Sequence, residues 1–139
     1  MRVVLDVNVW ISGLLWGGIP GQVLRLARSQ KITILASEAL SLELETTLRR
    51  EKFQPRLQKR GYTVDDLMSV AKRFSELYPN TNVEIAELRD PKDNKILAVA
   101  LAANAEAIVT GDLDLLVLKE FQGIPIVTPQ DFLSRYFPE

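Results

Sequence analysis

Met1-Arg2-Val3-Val4-Leu5-Asp6 is the stretch that sets the fold. Three consecutive apolar residues leave no polar face, so they read as a short parallel strand covered on both sides. The run stops at a carboxylate, which puts Asp6 at the strand's carboxyl end. Ala107-Ile108-Val109 repeats the pattern and stops at Thr110-Gly111-Asp112. In open parallel sheets, functional groups collect just past the carboxyl ends of the strands. Both acids are therefore expected at one rim.

Between these two strands the chain alternates. Helices are expected over Val7–Leu15 and Gly21–Ser29, broken by Trp16-Gly17-Gly18-Ile19-Pro20, and Ile32–Leu35 reads as a second strand. Ser37 caps the next helix, with Glu38 in its first turn and Leu40, Leu44, Thr47 and Leu48 on one face. Thr63 is the expected cap of a helix running to about Tyr78, and Asn82–Ile85 is a weak strand candidate. Asp90-Pro91 opens a helix with a capping acid and proline at the first helical position, reaching about Ala103. Ile124–Val127 is the last strand, its proline suggesting an edge, and Thr128-Pro129 starts a C-terminal helix. This alternation predicts a three-layer α/β/α sandwich around a central parallel sheet of about four to five strands. At 139 residues, without repeats or linkers, the chain is expected to form a single domain over 1–139.

Composition narrows the chemistry. The chain has no cysteine and no histidine, which excludes disulfides, thiol nucleophiles, Ser–His–Asp triads and His-ligated zinc. Acid–base work falls to carboxylates, Lys, Tyr or a bound hard cation. The N-terminus reaches Asp6 too early for a signal peptide, and no apolar run approaches the ~20 residues that span a bilayer. A cytoplasmic location without membrane association is expected.

Four acids remote in sequence share an inward direction. Asp6 and Asp112 follow strands. Asp93 lies on the stripe of Ile96, Leu97 and Ala100, and Glu43 flanks the stripe of Leu40, Leu44 and Thr47. No Lys or Arg is expected in an equivalent inward position. Each acid also has a local role open to it: Asp93 as a capping-box acid, Glu43 as a half-exposed helix residue, Asp6 and Asp112 as turn residues. Together they repel one another unless a cation fills the cluster. An all-oxygen ligand set favours Mg²⁺ or Mn²⁺. Such an ion activates water and clamps phosphate oxygens, which suits phosphodiester hydrolysis. Asn8, Thr110 and Ser12 are candidates for orienting the carboxylates or a water. Asp114 is either a further ligand or a solvated turn acid.

Net charge is −1, so attraction to a polyanion must be local. Arg49, Arg50, Lys52, Arg56, Lys59 and Arg60 face the single acid Glu51, and Phe53 and Tyr62 lie nearby for stacking. This segment is a candidate guide for RNA, or equally a dock for an acidic protein partner. Trp10 and Trp16 are expected in the core or in a dimer contact.

At these residues the chain resembles the PIN-domain nucleases, in particular the bacterial and archaeal branch of toxin components in toxin–antitoxin pairs. Val4-Leu5-Asp6-Val7-Asn8-Val9 is similar to the family's opening strand end, and Ser37–Leu44 to the helix bearing its glutamate. Arg89-Asp90-Pro91-Lys92-Asp93-Asn94-Lys95 and Ile108-Val109-Thr110-Gly111-Asp112-Leu113-Asp114-Leu115 are similar to its third and fourth acidic motifs. The resemblance spans nearly the whole chain in order and spacing. It implies Mg²⁺- or Mn²⁺-dependent cleavage of single-stranded RNA by Asp6, Glu43, Asp93 and Asp112, with Asp114 and Asn8 in support. It also implies a homodimer and a cognate antitoxin. Asn8 is a departure from many members, which carry another polar residue further on.

Two alternatives stand beside this reading. A haloacid dehalogenase-like phosphatase also opens on a strand ending in Asp, but needs a second Asp where Asn8 stands. A non-catalytic RNA-binding or adaptor module would keep the fold and the basic segment without a metal.

Overall fold

The computed structural model describes residues 1–78 and 91–138, with side chains in the second stretch from Asn94 onward. Strand β1 (Arg2–Leu5) leads into helices α1 (Val7–Leu15) and α2 (Gly18–Arg28), then β2 (Thr33–Ser37) and α3 (Glu38–Leu48). A 3₁₀ turn at Glu51–Phe53 precedes α4 (Gln54–Arg60), α5 (Val64–Phe74) and β3 (Ser75–Tyr78). The chain continues through α6 (Pro91–Ala102), β4 (Ala107–Val109), α7 (Leu113–Leu116), β5 (Glu120–Phe121), β6 (Ile124–Val127) and α8 (Pro129–Tyr136).

The strands form one six-stranded sheet in the order β3-β2-β1-β4-β6-β5, parallel except for β5. Val3 and Val4 are adjacent in β1, point to opposite faces, and are both completely buried; Ala107, Ile108 and Val109 of β4 are likewise inaccessible. Helices therefore cover both faces, giving the α/β/α layering expected of all-apolar parallel strands. One apolar core runs from Val3 to Phe132 through strands and helices alike.

Caps set the helix starts. Ser37 Oγ accepts from the Leu40 N–H at 3.2 Å, and Thr128 Oγ1 from that of Asp131 at 3.1 Å. At α5 a reciprocal box joins Thr63 to Asp66, and the Thr63 N–H holds the Asp66 carboxyl below its ordinary range. α2 begins three residues before its expected start. Gly17 and Gly18 take positive φ of 76° and 60°, completing the break, and Pro20 is accommodated in the first turn, where its missing N–H costs nothing.

Three expectations need correction. The helix from Thr63 ends at Phe74, not Tyr78. The Ser75 hydroxyl donates to the Ala71 carbonyl at 2.7 Å, and Ser75–Tyr78 leaves to pair with β2, an edge pairing that local helical patterning does not disclose. β6 is not the edge. Gln122 and Gly123, with φ of 49° and 84°, form a two-residue hairpin that adds β5 outside it. Pro125 lies opposite Glu120 where the hairpin uses no N–H, while the next residue, Ile126, donates to Lys119 O at 2.9 Å. Trp16, expected in the core or in a dimer contact, is not in the core. It is 54% exposed, whereas Trp10 is buried. The strand candidate Asn82–Ile85 and the cap Asp90 lie outside the described residues.

α1 and α2 cross closely at Gly13. A Cβ built there would meet Leu24 Cδ1 at 2.7 Å and the Pro20 carbonyl oxygen at 3.1 Å. Leu24 can swing its tip, but it is buried and the carbonyl is backbone. The clash outweighs the helix propensity gained by alanine, up to about 1 kcal/mol. Gly13→Ala is expected to destabilise the fold by about 1–2 kcal/mol net in urea denaturation, with the m-value unchanged.

Candidate active site

The strand order reverses direction at β1. β2 lies on one side of β1 and β4 on the other, so the crevice past the carboxyl ends of β1 and β4 is the switch point of the sheet. Asp6 follows β1 directly and Asp112 follows β4 by three residues. The two are joined by one side chain. Thr110, completely buried, donates its hydroxyl to Asp6 Oδ2 at 2.7 Å and accepts from the Asp112 N–H at 3.0 Å. Thr110 N–H in turn donates to Val127 O of β6 at 2.9 Å, and the Asp6 N–H to Val109 O at 3.0 Å. Sheet bonding thus fixes both strand ends before any side chain acts.

Asp6 and Asp112 also start helices. Asp6 caps α1, its Oδ1 accepting from the Asn8 N–H at 3.5 Å, and Asp112 caps α7, its Oδ1 accepting from the Asp114 N–H at 2.9 Å. The local role takes one oxygen of each carboxylate, which serves a cap. Among the described residues, Asp112 Oδ2 has no hydrogen-bonding partner and no Lys or Arg pairs with Asp6, Asp112 or Asp114. Asp6 is 8% exposed, an acid sequestered with no described cation to balance it.

The other candidates fall differently. Asn8 meets Asp6 through its backbone N–H at 3.5 Å, and its side chain is exposed. Ser12 is half-buried on α1, and its carbonyl accepts from the Trp16 N–H at 3.0 Å. Asp114 is exposed in the first turn of α7. Glu43 is half-buried on α3, and Lys95 Nζ stands 3.8 Å from its Oε2. Lys95 is exposed, so the expectation that no Lys or Arg takes an inward position among the acids is not contradicted by this pair. Lys95 follows Asp93 by two residues and turns to α3, which residue spacing along α6 alone could not reveal. Among the described residues no three acidic side chains gather closely enough to hold a metal.

The side chain of Asp93 lies outside the described residues, but the course of its helix does not. Arg2, at the start of β1, donates through Nη2 to Ala103 O at 3.1 Å, just past the end of α6. α6 packs on β1 and β2. With its last turn at the amino edge of β1, its first turn, which carries Asp93, stands toward the rim where Asp6 lies. The sequence missed Asn94: its Oδ1 is buried and has no partner among the described residues. Sitting directly after Asp93, it has no distinguishing signal in composition or pattern.

The profile of the PIN domain matches residues 2–114, from β1 through Asp114. The chain belongs to the PIN-domain family. That span contains Asp6, Glu43, Asp93, Asp112 and Asp114. No curated protein matches the chain. Among solved structures, the PIN-domain chain is similar to one in the crystal structure of VapBC2 from Rickettsia felis bound to a DNA fragment from their promoter. The TM-score is 0.60 over 91% of this chain and 97% of that one, at 15% identity. At that identity the likeness speaks to the fold. Among the described residues, no helix is long and apolar enough to cross a membrane.

Proposed function

We propose that this PIN-domain protein is a metal-dependent endoribonuclease, the toxin of a toxin–antitoxin pair, acting on single-stranded RNA. The observation that carries the reading is the Asp6–Thr110–Asp112 link at the switch point of the sheet. It holds two carboxylates at the β1 and β4 ends, with no described cation against either. The donor set fits a hard divalent ion. Every candidate ligand is oxygen, one acid is buried, and Asp112 keeps an oxygen uncommitted among the described residues. Asp6 and Asp112 would hold Mg²⁺ or Mn²⁺, with Asp93 on the adjoining helix turn and Asp114 in support. Bound there, the ion supplies Lewis acidity toward a phosphodiester.

The chain's own residues do the rest. Thr110 sets the position of Asp6 against the backbone of Asp112. The caps at α1 and α7 restrain both carboxylates in rotation. Glu43, paired with Lys95, joins the catalytic set by exchanging that partner when a phosphate engages Lys95; the pair is half exposed and 3.8 Å apart, so its release costs little. The phosphatase alternative lacks the second acid at Asn8 and gains nothing from the family assignment. The partners in this reading are a cognate antitoxin, supported by the VapBC2 likeness, and a second copy of the chain.

Incubation of the purified protein with single-stranded RNA and Mg²⁺ or Mn²⁺ tests the reading. Cleavage is expected with either ion and should stop on adding EDTA. Cleavage that persists in EDTA would rule out the metal-dependent reading.

A further inference from the structure

The end of α1 carries a surface feature that hydrolysis at the strand ends leaves unused. Trp16, the C-cap of α1, is 54% exposed. Arg56 of α4 reaches it twice: Nε donates to Leu15 O at 2.8 Å, and its guanidinium lies 5.5 Å from the Trp16 ring centre. Phe53 meets Trp16 edge-on at 6.1 Å, and the Lys52 ammonium stands 5.0 Å over Phe53. The α1 helix has no basic residue in its own last turn, so Arg56 supplies the positive charge its carboxyl end favours. That bond fastens the basic segment to α1 and sets Arg56 against a half-exposed indole, with Lys52 over the neighbouring Phe53 ring.

Charge singles out the occupant. The chain as a whole is at −1, yet Arg49–Arg60 holds six cations against one acid. Arg49 is neutralised by Asp65 at 3.2 Å and Glu45 at 3.8 Å. Arg50, Lys52, Lys59 and Arg60 are exposed and have no ion pair among the described residues. α1 starts at Asp6 and ends at Trp16, about 15 Å away along a helix of ordinary rise. That separation fits within the several nucleotides that single-strand grooves hold.

We propose that Trp16 and Phe53, with Arg56 and Lys52 against their rings and Lys59 and Arg60 further along α4, form a stacking subsite for unpaired bases of a single-stranded RNA. The strand would run along α1 from the Asp6 end. The inference rests on the RNA reading above and extends it to a second place on the molecule. An exposed indole with a guanidinium beside it takes a base on its ring and a phosphate on its rim, whereas a duplex hides its base faces. An acidic protein would use the cations but has little need of the ring.

The test is binding of a labelled single-stranded RNA oligonucleotide by fluorescence anisotropy, in EDTA, so that it is independent of hydrolysis. Trp16→Ala is expected to weaken binding about tenfold, the loss of one stacked base, while Trp16→Phe stays within about threefold of wild type. The exposed triple variant Lys52→Glu, Lys59→Glu, Arg60→Glu should weaken it further and flatten its salt dependence. A duplex RNA of equal length should bind less tightly and ignore Trp16→Ala. Equal affinity of Trp16→Ala and wild type for the single strand would overturn the proposal. So would a polyglutamate peptide that binds as tightly as RNA and is insensitive to Trp16→Ala, which would assign the patch to an acidic protein. If the binding pattern holds while no RNA is cut under any metal, the subsite stands and the hydrolytic reading falls.

Discussion

Asp6→Asn is expected to abolish RNA cleavage, by about a thousandfold or more, while the protein remains folded. The amide matches the carboxylate in shape and keeps an oxygen for the Thr110 hydroxyl, which holds Asp6 Oδ2 at 2.7 Å. What it loses is the negative charge and the second acceptor, the oxygen that takes the Asn8 N–H in a long contact of 3.5 Å. Several kcal/mol of charge stabilisation, at 1.36 kcal/mol per tenfold, sets the size of the fall. Stability should move the other way. Asp6 is buried, and no described Lys or Arg neutralises it, so removing its charge lifts a desolvation cost. In the absence of divalent metal, the variant is expected to melt at or above the wild-type temperature. Mapped cleavage of total RNA beside a differential scanning measurement checks both halves. Equal cleavage by the variant would expose a contaminating ribonuclease.

The second large effect belongs to Thr110→Val. The two side chains have nearly the same volume, and the site is inaccessible, so packing is preserved. The hydroxyl is not. Asp6 Oδ2 loses its donor and the Asp112 N–H its acceptor in one step. Orphaned groups of this kind cost about 1–3 kcal/mol each, less where water reaches them, as it does at half-buried Asp112. A loss of about 2 kcal/mol in stability is expected. Activity should drop by about 10- to 100-fold, the usual effect of removing a group that orients a metal-binding carboxylate. Thr110→Ser, which restores the hydroxyl, should recover most of the activity. A structural role alone would give the stability loss without that recovery in rate.

The strands and the two strand-end acids were legible because unbroken apolar runs admit few other structures. Val3–Leu5 and Ala107–Val109 became neighbours in the sheet, as runs buried on both faces must. The relation between Asp6 and Asp112 through a single threonine was not legible. Register across β1 and β4 decides it, and register depends on the whole sheet. β3 and β5 escaped for a related reason: each is a short edge strand, and its identity comes from the partner it pairs with. Glu43 shows the limit of helix periodicity. Its flank position on α3 was readable, but the Lys95 opposite it belongs to another helix. Trp16 shows the same limit for burial, because a tryptophan closing a helix can face inward or outward, and the arrival of α4 decides which.

The central claim is that the strand-end carboxylates bind a divalent cation, and Mn²⁺ titration followed by thermal unfolding tests it most directly. Ligand that binds only the folded state stabilises it by about 2.7 kcal/mol at a hundredfold excess over Kd. For a domain of this size that is a rise of roughly 10 °C in Tm. The wild-type protein should show this rise, and Asp112→Asn should lose most of it. A wild-type Tm unmoved by saturating Mn²⁺, or an equal rise in Asp112→Asn, would contradict the account.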